Sequence, residues 1–256
     1  MSSDAPLVNK ACWISEEIFD WQLELTGGSQ GDEAKAQRAY ELFAHAETLI
    51  KANKSPLSLT DGILSLKRAI NHRVKLLDEL YQLSSIFPKN TGALERLAIV
   101  GLSRPFMIKQ LFELRNDIEH NDQKPPSITR CHELVDITWY FLKATDAACL
   151  LVRHHALFTC DKGPFAREPR LWIEGTLNNK SQLSVSGWID TALLSERASQ
   201  EFLELQINEL KCKQDFVQWR ENHIKRQKSE RWFSGIITLN SAKSQHYLTK
   251  IFSASP

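Results

Sequence analysis

Along the first 150 or so residues, apolar positions recur at three- and four-residue steps, and beyond about residue 170 they alternate with polar ones. The first period is that of an α-helix with one buried face and the second that of a half-buried strand. Ile18, Phe19, Trp21, Leu23 and Leu25 form a short apolar run ending in Thr26-Gly27-Gly28-Ser29, where the glycine pair predicts a turn or loop. Asp32 is placed to cap a helix through Ala34, Ala39, Leu42, Phe43, Ala46 and Leu49 to about Ala52, stopped by Asn53-Lys-Ser-Pro56. Thr60 or Asp61 can cap a long helix with an apolar stripe of Leu66, Ile70, Val74, Leu77 and Tyr81. After a break at 87–92, a helix from Ala93 reaches Val100 and Gly101 interrupts it. Pro105 sits where the next helix begins, and that helix runs through Leu111-Phe-Glu-Leu-Arg-Asn-Asp-Ile-Glu-His-Asn121 to a break at Pro125-Pro126. Ser127 or Thr129 can cap a fifth long helix, lined by Leu134, Thr138, Phe141, Thr145, Ala148 and Val152 and reaching about His155. With no strand evident before that point, roughly the first 158 residues read as an all-helical bundle.

The pattern changes after Asp161-Lys-Gly-Pro164 and Arg167-Glu-Pro169, a linker-like run. Leu171 to Leu177, a turn at Asn178-Asn179, and Leu183 to Ile189 predict a hairpin. Phe202 to Asn208 alternates at strand period, Asp215 to about Arg226 predicts one helix, and 231–239 and 247–253 predict two further strands. The expected fold class is therefore α+β: a helical domain over residues 1–160, then a small β-rich domain with one helix over 168–256.

Composition adds mainly exclusions. In 256 residues, 25% are charged, 42% are hydrophobic and the net charge is +1, so no global field draws the chain to nucleic acid or membrane. The five cysteines include no Cys-x-x-Cys pair, which favours reduced thiols over disulfides or zinc. His154 and His155 with Cys160 do not complete a ligand set, so no metal and no cofactor is expected. No signal peptide and no stretch of about 18 apolar residues is visible, so a soluble, cytoplasmic protein without membrane contact is expected. Two local basic sets remain. Lys67, Arg68 and Arg73 lie on the long helix, and Arg220, Lys225 and Arg226 lie in a run from Lys211 to Arg231 with seven basic residues against three acidic ones. Phe216, Trp219, Trp232 and Phe233 lie in or beside that run. Each set is either a solvated face or a surface for an RNA backbone.

The candidate chemistry gathers at Arg115, Asn116 and His120. Leu111, Leu114 and Ile118 make the expected core stripe of their helix, which puts Asn116 and His120 one above the other on the opposite side with Phe112 beside them. An imidazole at a helix C-terminus is favoured in its charged form by the macrodipole. The arginine–histidine spacing alone carries little, since about one Arg-x(4–6)-His pair is expected by chance in such a chain. A surface ion pair of Arg115 with Glu119, and a histidine serving only the helix end, explain the same residues without function.

Leu-Arg-Asn-Asp-Ile-Glu-His-Asn in a helical setting resembles the Arg-x(4–6)-His signature of HEPN domains, over roughly residues 30–158. That resemblance implies a metal-independent endoribonuclease, homodimeric through its motif-bearing helices, with Phe112 at the interface. In it His120 exchanges a proton with the attacking 2′-hydroxyl or the leaving 5′-oxygen, Arg115 stabilises charge on the scissile phosphate, and Asn116 orients His120 or a phosphate oxygen. By analogy such a nuclease serves as a toxin or anti-phage effector, with an antitoxin or effector protein as a further partner. The alternatives are a non-catalytic helical dimerisation or RNA-binding module of a larger assembly, and a regulatory subunit of such a system.

Overall fold

In the computed structural model, residues 12–120, 124–160, 169–175, 177–178, 180–211 and 229–253 are described. The chain forms two compact units. One is residues 29–152. The other joins residues 1–28 to 153–256.

The first unit is helical. Helix α1 (Glu33–Ala52) is capped as expected, with the Asp32 carboxylate accepting from the Lys35 N–H at 3.0 Å. Helix α2 (Pro56–Tyr81) is capped by Ser55, five residues before Thr60, the earlier of the two expected caps. Pro56 does not stop the chain there; it opens the helix at the first position, where its missing N–H costs nothing, and Ser55 and Ser58 cap it reciprocally. After the single turn α3 (Leu83–Ile86) come α4 (Ala93–Ile99), the positive-φ Gly101, and α5 (Pro105–His120). Ser127 caps α6 (Ile128–Leu150). The face expected for α6 is buried at all its members from Leu134 to Val152. Thr138 and Thr145 are tolerated there because their hydroxyls donate to carbonyls one turn back. Gly31 closes this unit: its N–H donates to the Leu150 carbonyl at 2.8 Å, and a Cβ would collide with the Cys149 carbonyl oxygen.

An all-helical bundle over the first 158 residues is overturned, because strands precede and follow the helices. Strand β1 (Cys12–Ser15) and strand β2 (Gln22–Gln30) flank a 3₁₀ turn at Glu16–Asp20. The glycine pair expected to turn lies inside β2. Helix α6 stops at Leu150, where Leu151 goes extended, and β3 (Leu151–Thr159) follows directly, so His155 is a strand residue. The sheet continues with β4 (Pro169–Glu174), β5 (Gln182–Asp190), the short β6 (Leu194–Ser195), β7 (Phe202–Lys211) and β8 (Glu230–Thr238). Among the described residues it has eight strands in the order β2-β3-β4-β5-β8-β7-β1-β6. The predicted hairpin is present, antiparallel, with Leu171 opposite Gly187. Its turn is held by Asn178, whose side-chain oxygen accepts from the N–H groups of Lys180 and Gln182.

One face of the sheet is the core: Leu171, Ile173, Leu183, Val185, Leu203, Leu205, Ile207, Phe233 and Ile237 are buried. The last expected strand is instead helix α7 (Ser241–Ser253). Asn240 starts it by accepting from the Lys243 N–H, which puts Tyr247, Leu248 and Ile251 at helical spacing in the core. The Phe19 ring meets Phe158 and Tyr247 edge-on, at 5.6 and 6.5 Å. The helix expected at 215–226, with Arg220, Lys225 and Arg226, lies outside the described residues.

Candidate functional site

The expected site sits at the C-terminal end of α5. Pro105 fixes where the helix begins, and His120 is its last residue, so Arg115, Asn116 and His120 all fall in its last two turns. Among the described side chains of α5, Ile108 is buried, Phe112 and Leu114 are half-buried, and Glu113 and Asn116 are exposed. The side chains of Arg115 and His120, like those of Leu111 and Ile118, lie outside what is described. The Arg130 guanidinium of α6 donates to the Gln110 side-chain oxygen of α5 at 2.8 Å, tying the two helices together upstream of the motif.

Phe112 does not stand alone on an outer face. The ammonium of Lys67, from α2, lies 5.4 Å from the centre of its ring, a cation–π contact that brings two of the expected residues together. Arg68 and Lys75 are exposed along the same helix.

Arg73 belongs elsewhere. It is 0% exposed, so the expectation that it lines a basic surface fails. One terminal nitrogen of its guanidinium donates to the Leu142 carbonyl at 3.2 Å, the Thr145 hydroxyl at 3.2 Å and the Asp146 carboxylate at 2.9 Å. The other reaches the Ala36 carbonyl at 3.5 Å, and the Tyr40 ring lies 5.5 Å away. Tyr40 donates to the second Asp146 oxygen at 2.6 Å. Burial first, and the Asp146 carboxylate second, raise the Tyr40 hydroxyl above its ordinary range and keep it a donor. The group therefore joins α1, α2 and α6 as a buried, charge-assisted network. A signal was present in the sequence: Arg73 continues the buried run Leu66, Ile70 at a three-residue step and precedes Leu77 by four.

In the sheet unit, alternation puts Trp172, Trp188 and Trp232 on the face opposite the core, all half-buried, with Trp188 directly across from Trp232. Of the aromatic residues singled out near the basic run, Phe233 is core. Phe216 and Trp219 lie outside the described residues. Among the described residues no group of three or more His, Cys, Asp or Glu side chains could hold a metal, and no helix is long and apolar enough to cross a membrane.

Compared with protein-family models, curated proteins and solved structures, the chain matches none.

Proposed function

We propose that the protein is a metal-independent endoribonuclease of HEPN type that acts in the cytoplasm as a homodimer, with Arg115, Asn116 and His120 as its working residues. The observation that carries the reading is the position of the motif: it occupies the last turns of α5, with Asn116 exposed and the Lys67 ammonium of α2 over the Phe112 ring. A phosphate oxygen meeting Lys67 would lie beside Phe112, one helical turn before Arg115 and Asn116 on α5. His120 takes the proton of a ribose 2′-hydroxyl, whose oxygen attacks the adjacent phosphorus. The bond from phosphorus to the 5′-oxygen breaks, and that oxygen takes a proton from the paired subunit's copy of the same histidine. Arg115 offsets the charge that builds on the phosphate oxygens, and Asn116 holds the imidazole or a phosphate oxygen. The products carry 2′,3′-cyclic phosphate and 5′-hydroxyl ends. A toxin or anti-phage role, with an antitoxin partner, follows by analogy from such chemistry.

Purified protein incubated with structured and single-stranded RNA in EDTA tests this. Cleavage with cyclic-phosphate ends is expected, falling by about 10²–10⁴-fold in His120→Ala and about 10²–10³-fold in Arg115→Ala. Cleavage that survives either substitution would remove the site assignment, and no cleavage by the wild-type chain would leave a non-catalytic binding module.

A further inference from the structure

The two ends of the sheet are built differently. At one end stands β6, two residues long. At the other stands β2, nine residues long, which among the described residues has a neighbour, β3, on one side only. A strand edge offers a row of backbone donors and acceptors to any other strand, and proteins commonly blunt it by shortness, lysine, proline or a bulge. Shortness protects the β6 end. The β2 run, Gln22-Leu-Glu-Leu-Thr-Gly-Gly-Ser-Gln30, has no lysine, arginine or proline and a single charge, Glu24. Gln22, Glu24, Thr26 and Gly27 are exposed along it.

The chain's own packing does not call for a glycine at position 27. Its φ lies outside the region that favours glycine, and a Cβ there would meet the His155 side chain at 3.6 Å, an ordinary contact. Glycine inside a strand weakens it, and it often marks the close approach of another backbone.

We infer that β2 pairs antiparallel with β2 of a second copy of the chain, about a two-fold axis at Thr26. That register sets Leu25 beside Gly27 and Glu24 beside Gly28, large against small, and brings the two Thr26 side chains face to face. The two Glu24 carboxylates then stand four residues apart along the ladder, about 13 Å, beyond the screening length of about 8 Å at physiological salt. A parallel pairing in register would set each Glu24 beside its own copy, so the one charge selects the antiparallel arrangement. With only two residues, β6 is too short to receive β2, and the contact closes as a dimer instead of running on as a filament. The inference is independent of whether the chain cleaves RNA and of any contact through α5.

Sedimentation and oxidative cross-linking of the full chain test it. A dimer is expected at about 100 µM, dissociating on dilution towards about 1 µM, in keeping with the small area that two edge strands cover. Thr26→Lys, which sets two ammonium groups face to face, should weaken the dimer by about 5-fold or more and leave the melting temperature of the dilute chain unchanged. Cys12, Cys131 and Cys149 are buried, so cross-linking is read in a chain carrying Cys160→Ser and Cys212→Ser. There Thr26→Cys should form an intermolecular disulfide under mild oxidation, because facing Cα atoms of an antiparallel pair lie about 4.5–5.5 Å apart, within a disulfide's reach. Glu24→Cys, about 13 Å from its copy, should not. A monomer at about 100 µM, a dimer indifferent to Thr26→Lys, equal cross-linking of the two cysteine variants, or species growing beyond the dimer would each overturn the inference.

Discussion

The guanidinium of Arg73 reaches carbonyls or side chains on two neighbouring helices at once, so its loss is felt by both. Arg73→Ala leaves the Asp146 carboxylate and the Tyr40 hydroxyl without their shared cation. Breaking a buried pair from one side costs about 3–5 kcal/mol, but Asp146 is one-fifth exposed and has Lys143 at 3.5 Å, which lowers the expected loss to about 2–4 kcal/mol. Arg73→Met combined with Asp146→Leu should recover most of it, because volume is kept and no charge is stranded. Urea unfolding of the three variants checks both statements, and an Arg73→Ala variant as stable as wild type would refute the network's role. Cys149 lies beside this group, and burial pushes its thiol up to about 11, the Arg73 charge opposing in part. The folded state thus prefers the protonated thiol. Its contribution, about 2–3 kcal/mol at most, is complete below the ordinary value of 9.0 and is lost as pH rises towards 11. Urea midpoints between pH 8 and 11 should fall steeply in the wild type and less steeply in Cys149→Ala. Tyr247, whose burial also raises its hydroxyl, contributes to the fall above pH 10.

At the scale of elements, what was legible followed the local signals. Helices α1 and α6 carry a side-chain cap in the expected place, Asp32 and Ser127, and α5 is bracketed by Pro105 and Pro125, so the helix bearing Arg115 and His120 could be drawn from the sequence. The hairpin β4–β5 and strands β7 and β8 were legible because period-two alternation held for most of their length. Strands β1 and β2 were not. Four residues are too few to show a period, and two glycines inside a strand look like a turn until the pairing partner, far along the chain, is known. The apolar residues from Tyr247 predict a strand because the start signal of helix α7, at Asn240, lies before that window. Within the site, the exposure of Asn116 agrees with the expected outer face, whereas Phe112 is half-buried and has the ammonium of Lys67, a residue of another helix, 5.4 Å from its ring centre. Periodicity along one helix carries no information about that.

For the whole molecule, the sheet unit is built from both ends of the sequence. Cys12 and Ile14 are fully buried, and β1 pairs along β7 with Cys12 opposite Leu205. A fragment of residues 168–256 would lose that strand and expose an unpaired edge beside an open core, and it is expected to aggregate. Residues 29–152 expressed alone should keep a helical circular-dichroism spectrum and melt cooperatively. Joining 12–28 to the 153–256 fragment through a short linker should restore a soluble sheet, and a 168–256 fragment that is monomeric and natively folded would contradict this account. The pairing of β1 with β7 also sets a timetable for the chain during synthesis. The residues of β1 leave the ribosome about 190 positions ahead of their partners. At roughly 5–20 residues per second they wait about 10–40 s while the whole helical unit is made. For that interval a short segment carrying Trp13 and Ile14 is held by nothing it will finally pair with, and the helical unit has every opportunity to fold first.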